Sequence, residues 1–320
     1  MDARIRRRLR LRDLDTLIAV AETGSMAKAA VQLAVSQPAV SKAIAEMERT
    51  LGYRLLDRTA QGVEPNLYGQ ALLKWAKAVF DDVHQGVAEL DFISDPTGGE
   101  LRIGATEPIV AAMLPVILER LRRKHPRILF HVRQVTSVSQ QQDALRERRV
   151  DLLLGRTLGQ VGEDLSDEIL FHECTYVVAD SSNPLCRRRK IALRDLLDEP
   201  WSLPPSDTVV GALIHQAFRA SGLELPRANV VTSAIQMHSA LMGLGPYLAI
   251  FPSSMLEFSP QRRAFKALPV ELPVPPWPVT ITTLKNRTIS PVGQIFLECA
   301  REVAKPLNTR PAASRLPRRG

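Results

Sequence analysis

Residues 25–58 read SMAKAAVQLAVSQPAVSKAIAEMERTLGYRLLDR, and this stretch decides the fold of the N-terminal part of the chain. Its pattern predicts two short helices joined by a tight turn. Ser25 can cap the first helix and Ser36 the second, because a serine oxygen accepts hydrogen bonds from the unpaired N–H groups of a first turn. Pro38 falls in the first turn of the second helix, where its missing N–H costs nothing.

The second helix has two contrasting faces. Val40, Ile44, Met47 and Leu51 recur at helical spacing and are expected to face inward. The opposite face carries small, polar or basic side chains, namely Gln37, Ala39, Ser41, Lys42 and Arg49. Such a face at a helix start is what a DNA major groove can accept. The alternative is two amphipathic helices of an ordinary bundle with a solvated outer face.

The flanking residues extend this pattern on both sides. Residues 11–22 form a further amphipathic helix, so that three helices can share a small core over residues 11–51. Leu55 to Val63 suits a short hairpin with Ala60-Gln61-Gly62 as its turn. Asn66 is a good N-cap, and the next helix should therefore begin near Leu67.

The order and spacing of these residues resemble the LysR-type transcriptional regulators. The resemblance is carried by Ala29-Ala30, Ser36 to Lys42, Met47-Glu48, Leu51-Gly52, Leu55 to Arg58 and Gly62-Val63. It implies a winged helix-turn-helix in which Arg58 lies beside the minor groove. The DNA-binding residues that it implies are Ser25, Ser36, Gln37, Pro38, Ala39, Ser41, Lys42 and Arg58.

Three departures from the family pattern bear on DNA recognition. Where many members have arginine after Ser41, this chain has Lys42, which lacks the planar fork of a guanidinium and can change base preference. Pro65-Asn66 replaces the usual Leu-Thr pair, and Tyr68 replaces the usual alanine before Gly69. The sequence therefore does not fix the exact geometry of the wing. A surface ion pair with Asp57 is the alternative role for Arg58.

The net charge of +8 lies in the two ends of the chain. Residues 1–12 and residues 301–320 each carry a net charge of +5, which leaves about −2 for the rest. Basic ends can hold phosphates non-specifically, so the high pI alone does not indicate specific DNA binding. The N-terminus does not resemble a signal peptide, no apolar run reaches the length of a membrane span, and the chain is expected in the cytoplasm.

A long helix is predicted to follow the hairpin and to run to about Ile93. Its apolar residues recur by four and three, as in a heptad seam: Leu72, Ala76, Val79, Val83, Gly86, Leu90 and Ile93. Packing on its own domain is one interpretation of this seam. The resemblance implies the other, a linker helix that pairs with a second copy in a dimer or tetramer.

Strands alternate with helices after the break at 95–99. A helix is expected from Val110 to Arg123, a strand from Ile169 to Ala179, and a strand from Val150 to Gly155 that is rich enough in leucine to be buried on both faces. This alternation predicts an open, mostly parallel α/β sheet. The expected fold class is α/β, with an N-terminal winged helix-turn-helix and a linker helix. The resemblance implies that the α/β part is a two-subdomain effector domain of periplasmic-binding-protein type. The domains are expected at 11–67 (DNA-binding), 68–95 (linker), 100–304 (effector-binding) and 305–320 (basic tail). Within the effector domain, subdomain I takes about 100–162 and 277–304, and subdomain II takes about 163–276. The resemblance places the crossings near 159–167 and 272–278.

Ligands of open α/β sheets bind beyond the carboxyl ends of strands, in the crevice between the halves. Those ends offer candidate effector-binding residues, which are Thr106, Thr136, Ser137, Ser202, Pro204 and Phe251, together with Arg156-Thr157. The alternative for each hydroxyl is plain helix capping. The resemblance favours Thr106, Thr136 and Ser202.

Glu107 bears on the kind of effector, because a carboxylate beside Thr106 would repel an anionic ligand unless Arg156 or Arg133 compensates. This leaves room for a sugar, a polyol or an amine-bearing effector. The alternative is that Glu107 faces solvent.

An enzyme is the competing class of protein. Gly243-Leu-Gly245 begins like a dinucleotide loop, but it lacks the third glycine and does not follow a strand. No nucleophile-elbow, phosphate-loop or zinc-protease pattern is found, and no metal or other cofactor is expected. A binding protein whose helix-turn-helix meets protein is a second alternative. The favoured hypothesis is a LysR-type regulator whose partners are operator DNA, a small-molecule effector, further copies of itself and RNA polymerase, without a membrane partner.

Overall fold

The structure, a computed structural model, describes residues 9–59, 62–156 and 162–308. The chain divides into two compact units, Met1–Val87 and Ala88–Gly320. The predicted hairpin turn at Ala60-Gln61, the candidate Thr157 and most of both basic ends lie outside the described residues.

Three helices and a hairpin open the N-terminal unit, as predicted. They are α1 (Leu11–Thr23), α2 (Met26–Gln32), α3 (Gln37–Leu51), β1 (Leu56–Thr59) and β2 (Gly62–Pro65). The hairpin strands pair antiparallel. The helices and the hairpin share one core, to which belong Leu17, Val20, Ala29, Val40, Ile44, Met47 and Leu55.

Both predicted serine caps form. Ser25 Oγ accepts a hydrogen bond from Lys28 N, and Ser36 Oγ accepts one from Ala39 N, each at 3.4 Å. Pro38 lies in the first turn of α3, where no backbone donor is lost. The helix boundaries therefore follow from local sequence signals.

Glycine at position 62 ties the hairpin to the end of α1. Its φ of +141° favours glycine, and a Cβ there would lie 2.3 Å from the Gly24 carbonyl oxygen. The next residue, Val63, donates its N–H to the same carbonyl at 2.9 Å. Pro65, whose effect the sequence left open, ends β2 opposite Leu56 without disturbing the register.

The long helix α4 (Leu67–Ser94) begins where the sequence predicted. Asn66 Oδ1 caps it by accepting hydrogen bonds from Tyr68 N at 3.0 Å and Gly69 N at 3.1 Å. The predicted apolar seam has two parts. Leu72 and Ala76 belong to the core of the N-terminal unit, whereas the later large seam residues are exposed: Val79, Val83, Leu90 and Ile93.

The C-terminal unit alternates strands and helices. Its elements are β3 (Gly98–Ala105), α5 (Glu107–Ala111), α6 (Met113–Lys124), β4 (Arg127–Gln134), α7 (Val138–Arg146), β5 (Leu152–Arg156), β6 (Leu165–Glu173), β7 (Thr175–Asp180), β8 (Trp201–Leu203), α8 (Val209–Ala220), β9 (Ala228–Val231), α9 (Ile235–Leu244), β10 (Ala249–Pro252), α10 (Ser253–Phe258), β11 (Phe265–Ala267), β12 (Trp277–Leu284) and α11 (Pro291–Asn308). Short 3-10 helices at Pro184–Arg187 and Leu193–Leu196 lie between β7 and β8. None of the helices within the described ranges combines the length and the apolar character that a membrane span requires.

A five-stranded sheet in the order β4-β3-β5-β12-β6 forms the first subdomain. β3 is parallel to β4 and β5, whereas β12 runs antiparallel to its neighbours β5 and β6. All five residues of the central β5 are buried, as its leucine-rich sequence predicted. The second subdomain contains the three-stranded sheet β10-β7-β11 and the parallel pair β8-β9.

Two predicted elements are wrong in extent. The strand predicted from Ile169 to Ala179 is two strands, because β6 ends at Glu173 in the five-stranded sheet and β7 begins at Thr175 in the three-stranded sheet. The chain thus makes its first crossing at Cys174, later than residues 159–167. The chain changes sheets a second time between β11 and β12.

The helix predicted from Val110 to Arg123 begins earlier and is broken. Thr106 is the N-cap of α5, and Ala112, with φ −126° and ψ −74°, separates α5 from α6. At the far end of the chain, α11 continues through Pro306 to Asn308, so the helix extends into the region assigned to the basic tail.

Candidate DNA-binding face and effector site

The outward face of α3 presents the predicted DNA-binding side chains. Gln37, Pro38, Ala39 and Lys42 are exposed and Ser41 is half-buried. The opposite face is fixed in the core by three buried apolar residues, which are Val40, Ile44 and Met47. Because core and outer residues alternate at helical spacing, packing of one face fixes the orientation of the other.

The polar side chains on this face are available to a partner. Within the described residues, the side chains of Gln37, Ser41 and Lys42 make no hydrogen bond or ion pair. An amide, a hydroxyl and an ammonium group can donate to base edges and to phosphate oxygens. Ser25 and Ser36, which were also predicted to meet DNA, use their oxygens as caps.

Arg58 lies exposed on β1, opposite Val63. The alternative role, an ion pair with Asp57, is not formed within the described residues. Asp57 Oδ1 instead accepts a hydrogen bond from Asn66 Nδ2 at 3.4 Å. The guanidinium of Arg58 is therefore exposed and not paired with Asp57, which leaves it available to a phosphate-lined groove.

Glu48 positions the wing, and sequence reasoning missed this role. Its Oε1 accepts a hydrogen bond from Leu55 N at 2.7 Å, which joins the last turn of α3 to the residue before β1. Asn66 Nδ2 donates to the Arg54 carbonyl oxygen at 3.1 Å. A carboxylate beside a predicted helix end was the available signal, but its acceptor role depends on the tertiary fold.

Among the candidate effector residues, Thr106 lies at the carboxyl end of β3, as predicted. It is half-buried, and its hydroxyl does not cap α5. Its side chain packs on Gly155, where an added Cβ would lie 2.6 Å from Thr106 Cγ2. A hydroxyl without a helix-capping hydrogen bond at a strand end can still serve a ligand.

Thr136 and Ser137 have capping contacts around the start of α7. Thr136 Oγ1 donates to Gln140 Oε1 at 2.7 Å, and Ser137 Oγ accepts a hydrogen bond from Gln140 N at 3.2 Å. Both residues are exposed. Their contacts match the helix-capping alternative.

Ser202 and Phe251 meet at His238, which sequence reasoning missed. Ser202 Oγ lies 2.7 Å from His238 Nδ1. The rings of His238 and Phe251 pack edge to face, with their centroids 6.4 Å apart. Ser202 and Phe251 are fully buried, so neither side chain is exposed to a ligand in this structure. Burial lowers the pKa of His238 to about 4, against a smaller opposing effect of a backbone hydrogen bond with Thr232. Pro204, the remaining candidate, is half-buried beyond β8.

Arg156 is held in a buried group where the two subdomains join. Its guanidinium lies 4.0 Å from the centroid of the Trp277 ring and 3.9 Å from Glu173 Oε2. Burial lowers the pKa of Arg156, and the charge of Glu173 raises it by a smaller amount. Glu173 Oε1 also accepts a hydrogen bond from Ser254 N at 2.8 Å, at the start of α10.

Glu107 does not simply face solvent. It is half-buried, and its Oε1 accepts a hydrogen bond from Ile235 N at 2.9 Å. Burial raises the pKa of Glu107, while backbone hydrogen bonds from Ile235 and Gln236 lower it. The carboxylate thus reaches from the first subdomain to the start of α9 in the second.

Two family profiles match this chain. A bacterial regulatory helix-turn-helix profile of the lysR family covers residues 11–70, and a LysR substrate-binding-domain profile covers residues 94–305. The chain belongs to the LysR family. It is therefore a transcriptional regulator that binds DNA through its winged helix-turn-helix and responds to a small-molecule effector.

Relatives match this LysR-type regulator over most of its length. The transcriptional regulator GbpR of Azospirillum brasilense is 28% identical over 93% of this chain and 87% of its own length. The crystal structure of full-length BenM shares 26% identity and a TM-score of 0.52, covering 95% of this chain and 100% of BenM. The structure of full-length CbnR in complex with its target DNA supports the fold. It is 24% identical, has a TM-score of 0.52, and covers 92% of this chain and 100% of CbnR.

Proposed function

We propose that this regulator reads its operator with the exposed face of α3. The observation that carries the proposal is the unpaired state of Gln37, Ser41 and Lys42 within the described residues, on a helix whose other face is locked in the core. Gln37 and Ser41 would meet base edges, with Pro38 and Ala39 allowing close approach, and Lys42 would meet a base edge or an adjacent phosphate. Ser25 and Ser36 would place the starts of their helices near the backbone.

Arg58 would extend this contact into the adjacent minor groove. A narrow minor groove concentrates negative potential, which favours an inserted arginine. The exposure of Arg58 and the engagement of Asp57 with Asn66 support this role.

The effector would bind between the two subdomains, near the end of β3. Thr106 is the strongest candidate for a direct contact, because its hydroxyl does not cap α5. Thr136, Ser137 and Pro204 would contribute at the margin, while Ser202 and Phe251 would act through His238. Closure on the effector would reorient the linker helices and change DNA bending.

The exposed seam of α4 supports pairing with a second copy as a dimer or tetramer. We further propose a cytoplasmic location, contact with RNA polymerase, and no catalytic reaction or cofactor for this regulator. A turnover assay on candidate effectors would contradict the last point if it detected product.

The test is a footprint of the purified protein on the DNA immediately upstream of its own gene, at several salt concentrations. An interrupted two-fold protected site is expected, with affinity that falls steeply as salt rises. Weak and unpatterned binding would assign the contact to the arginine-rich ends instead.

Lys42→Ala and Ser41→Ala are the decisive variants. Loss of one phosphate contact in Lys42→Ala should reduce the slope of log K against log salt by about 1, and Ser41→Ala should weaken sequence preference. Lys285→Ala removes an exposed lysine in the effector domain and should leave footprint and slope unchanged. Unchanged footprints in both α3 variants would refute the assignment of this face.

A further inference from the structure

A carboxylate of the protein itself occupies the start of α9. Glu107 at the beginning of α5 and Ile235 at the beginning of α9 are 128 positions apart in sequence, and their hydrogen bond joins the two subdomains. The Gln236 backbone N–H also lowers the pKa of Glu107. The contact therefore lies where the proposed function places the effector.

The start of α9 is suited to an anion, because its own N-cap side chain makes no capping hydrogen bond and Glu107 is the side chain among the described residues that caps it. Its N-cap residue is Ala234, whose side chain offers no acceptor. The first N–H groups of a helix have no intrahelical partner, and the helix dipole favours negative charge at that end. Glu107 supplies the acceptor that the local sequence lacks.

Burial on balance raises the pKa of Glu107, and the groups that oppose this cost to its charge are backbone donors and not a cation. Arg156, which the sequence offered as a compensating charge, is engaged with Glu173 and Trp277. Arg133 is exposed on β4 and makes no ion pair within the described residues. A second carboxylate arriving here would meet an uncompensated negative charge and donors that are already in use.

We propose that Glu107 is the specificity-determining residue that excludes carboxylate effectors, because its own carboxylate fills the backbone N–H position at the start of α9. The effector then presents a neutral or cationic donor, a hydroxyl or an ammonium group, to this point between the subdomains. An ionised carboxylate has about four acceptor positions, so a donor can be added without displacing Ile235 and Gln236. The inference rests on the proposed effector site and names the chemistry it selects.

The test removes the Glu107 carboxylate from the backbone N–H groups at the start of α9 and supplies acetate as a small carboxylate in its place. Full-length wild type, Glu107→Ala and Glu107→Gln are titrated with sodium acetate at constant ionic strength, set with sodium chloride. Binding is followed through the backbone amide shifts of Ile235 and Gln236 in NMR spectra. Glu224→Ala, which removes another exposed acidic charge, is the matched control.

Glu107→Ala is expected to bind acetate about tenfold or more tightly than wild type, the factor that corresponds to freeing one charge-assisted hydrogen-bonding position. Glu224→Ala should behave as wild type. Glu107→Gln keeps an acceptor without the charge and should show a smaller gain. If Glu107→Ala does not fold, the Gln variant decides: a gain supports the assignment, and no gain overturns it.

Two results would overturn the proposal: equal acetate binding by wild type and a folded Glu107→Ala, or no binding by either. The same preparations are footprinted on the upstream DNA, which keeps the two proposals separate. A gain of acetate binding without operator protection would remove the proposed DNA contacts and leave the role of Glu107 intact. Operator protection without that gain in acetate binding would refute the role of Glu107 and leave the proposed DNA contacts intact.

Discussion

Replacing His238 by asparagine is expected to reduce the loss of folding stability that the effector domain undergoes as the pH falls. His238 is buried, with 3% of its surface exposed, and its pKa is lowered to about 4 from an ordinary value of 6.5. The unfolded chain therefore binds a proton at this residue as pH falls below 6.5, while the folded chain does not. The part of the free energy of unfolding that depends on neutral His238 is fully present above pH 6.5 and is lost progressively between pH 6.5 and pH 4.

The size of the effect follows from these two pKa values. Between pH 7.5 and pH 5.5, linkage gives a loss of about 1 kcal/mol in the free energy of unfolding from His238 alone. Asparagine keeps a polar atom near the position of Nδ1, which lies 2.7 Å from Ser202 Oγ, and does not titrate. Its smaller side chain should lower stability at every pH but flatten the pH dependence.

Urea-induced unfolding followed by tryptophan emission measures this difference. Trp201 is fully buried beside Ser202 and therefore reports on the same subdomain. The wild-type protein should lose about 1 kcal/mol more than His238→Asn over the two pH units. An identical decline in both proteins would show that His238 takes up its proton in the folded state, and would refute the buried, neutral assignment.

Three further changes test the wing, the cap and the effector site. Gly62→Ala should destabilise the N-terminal unit by about 1–3 kcal/mol and weaken operator binding, because its Cβ would meet the Gly24 carbonyl oxygen. The control in thermal melting is Gly52→Ala, because Gly52 also has a positive φ but has open space around its Cβ position. An equal loss of stability in both variants would exclude the clash as the cause. Ser36→Ala should cost about 1 kcal/mol through loss of the α3 cap, and an unchanged melting temperature would contradict that role. Thr106→Ala should abolish the transcriptional response to effector while leaving the footprint intact, and a full response would place the site elsewhere.

Local signals made the N-terminal unit predictable. Ser25, Ser36 and Asn66 cap helices that begin within a few residues of the cap, and Val40, Ile44 and Met47 show the helical period directly in the sequence. The residues from Leu55 to Val63 indicated the hairpin, and the resemblance to a known family added its relation to DNA. Each of these inferences needed only residues that are close together in the chain.

The effector site was less predictable, because its contacts join distant segments. The hydrogen bond between Glu107 and Ile235 depends on the packing of two subdomains, and no short pattern contains both residues. His238 looked like any other scattered histidine until the fold placed it against Ser202. The break at Cys174 was also hidden, because the apolar residues on both sides continue a single strand-like pattern that belongs to two sheets.

The two crossings leave the five-stranded sheet from neighbouring strands. Glu173, the last residue of β6, pairs with Trp277, the first residue of β12, so the two chain connections between the subdomains lie side by side. Two adjacent attachment points leave mainly one rotational degree of freedom, as in other hinged domain pairs. We expect motion between the subdomains to follow a single pivot near Arg156 and Trp277. Distances between spin labels on α8 and α6 should then vary with effector, while distances within each subdomain stay constant.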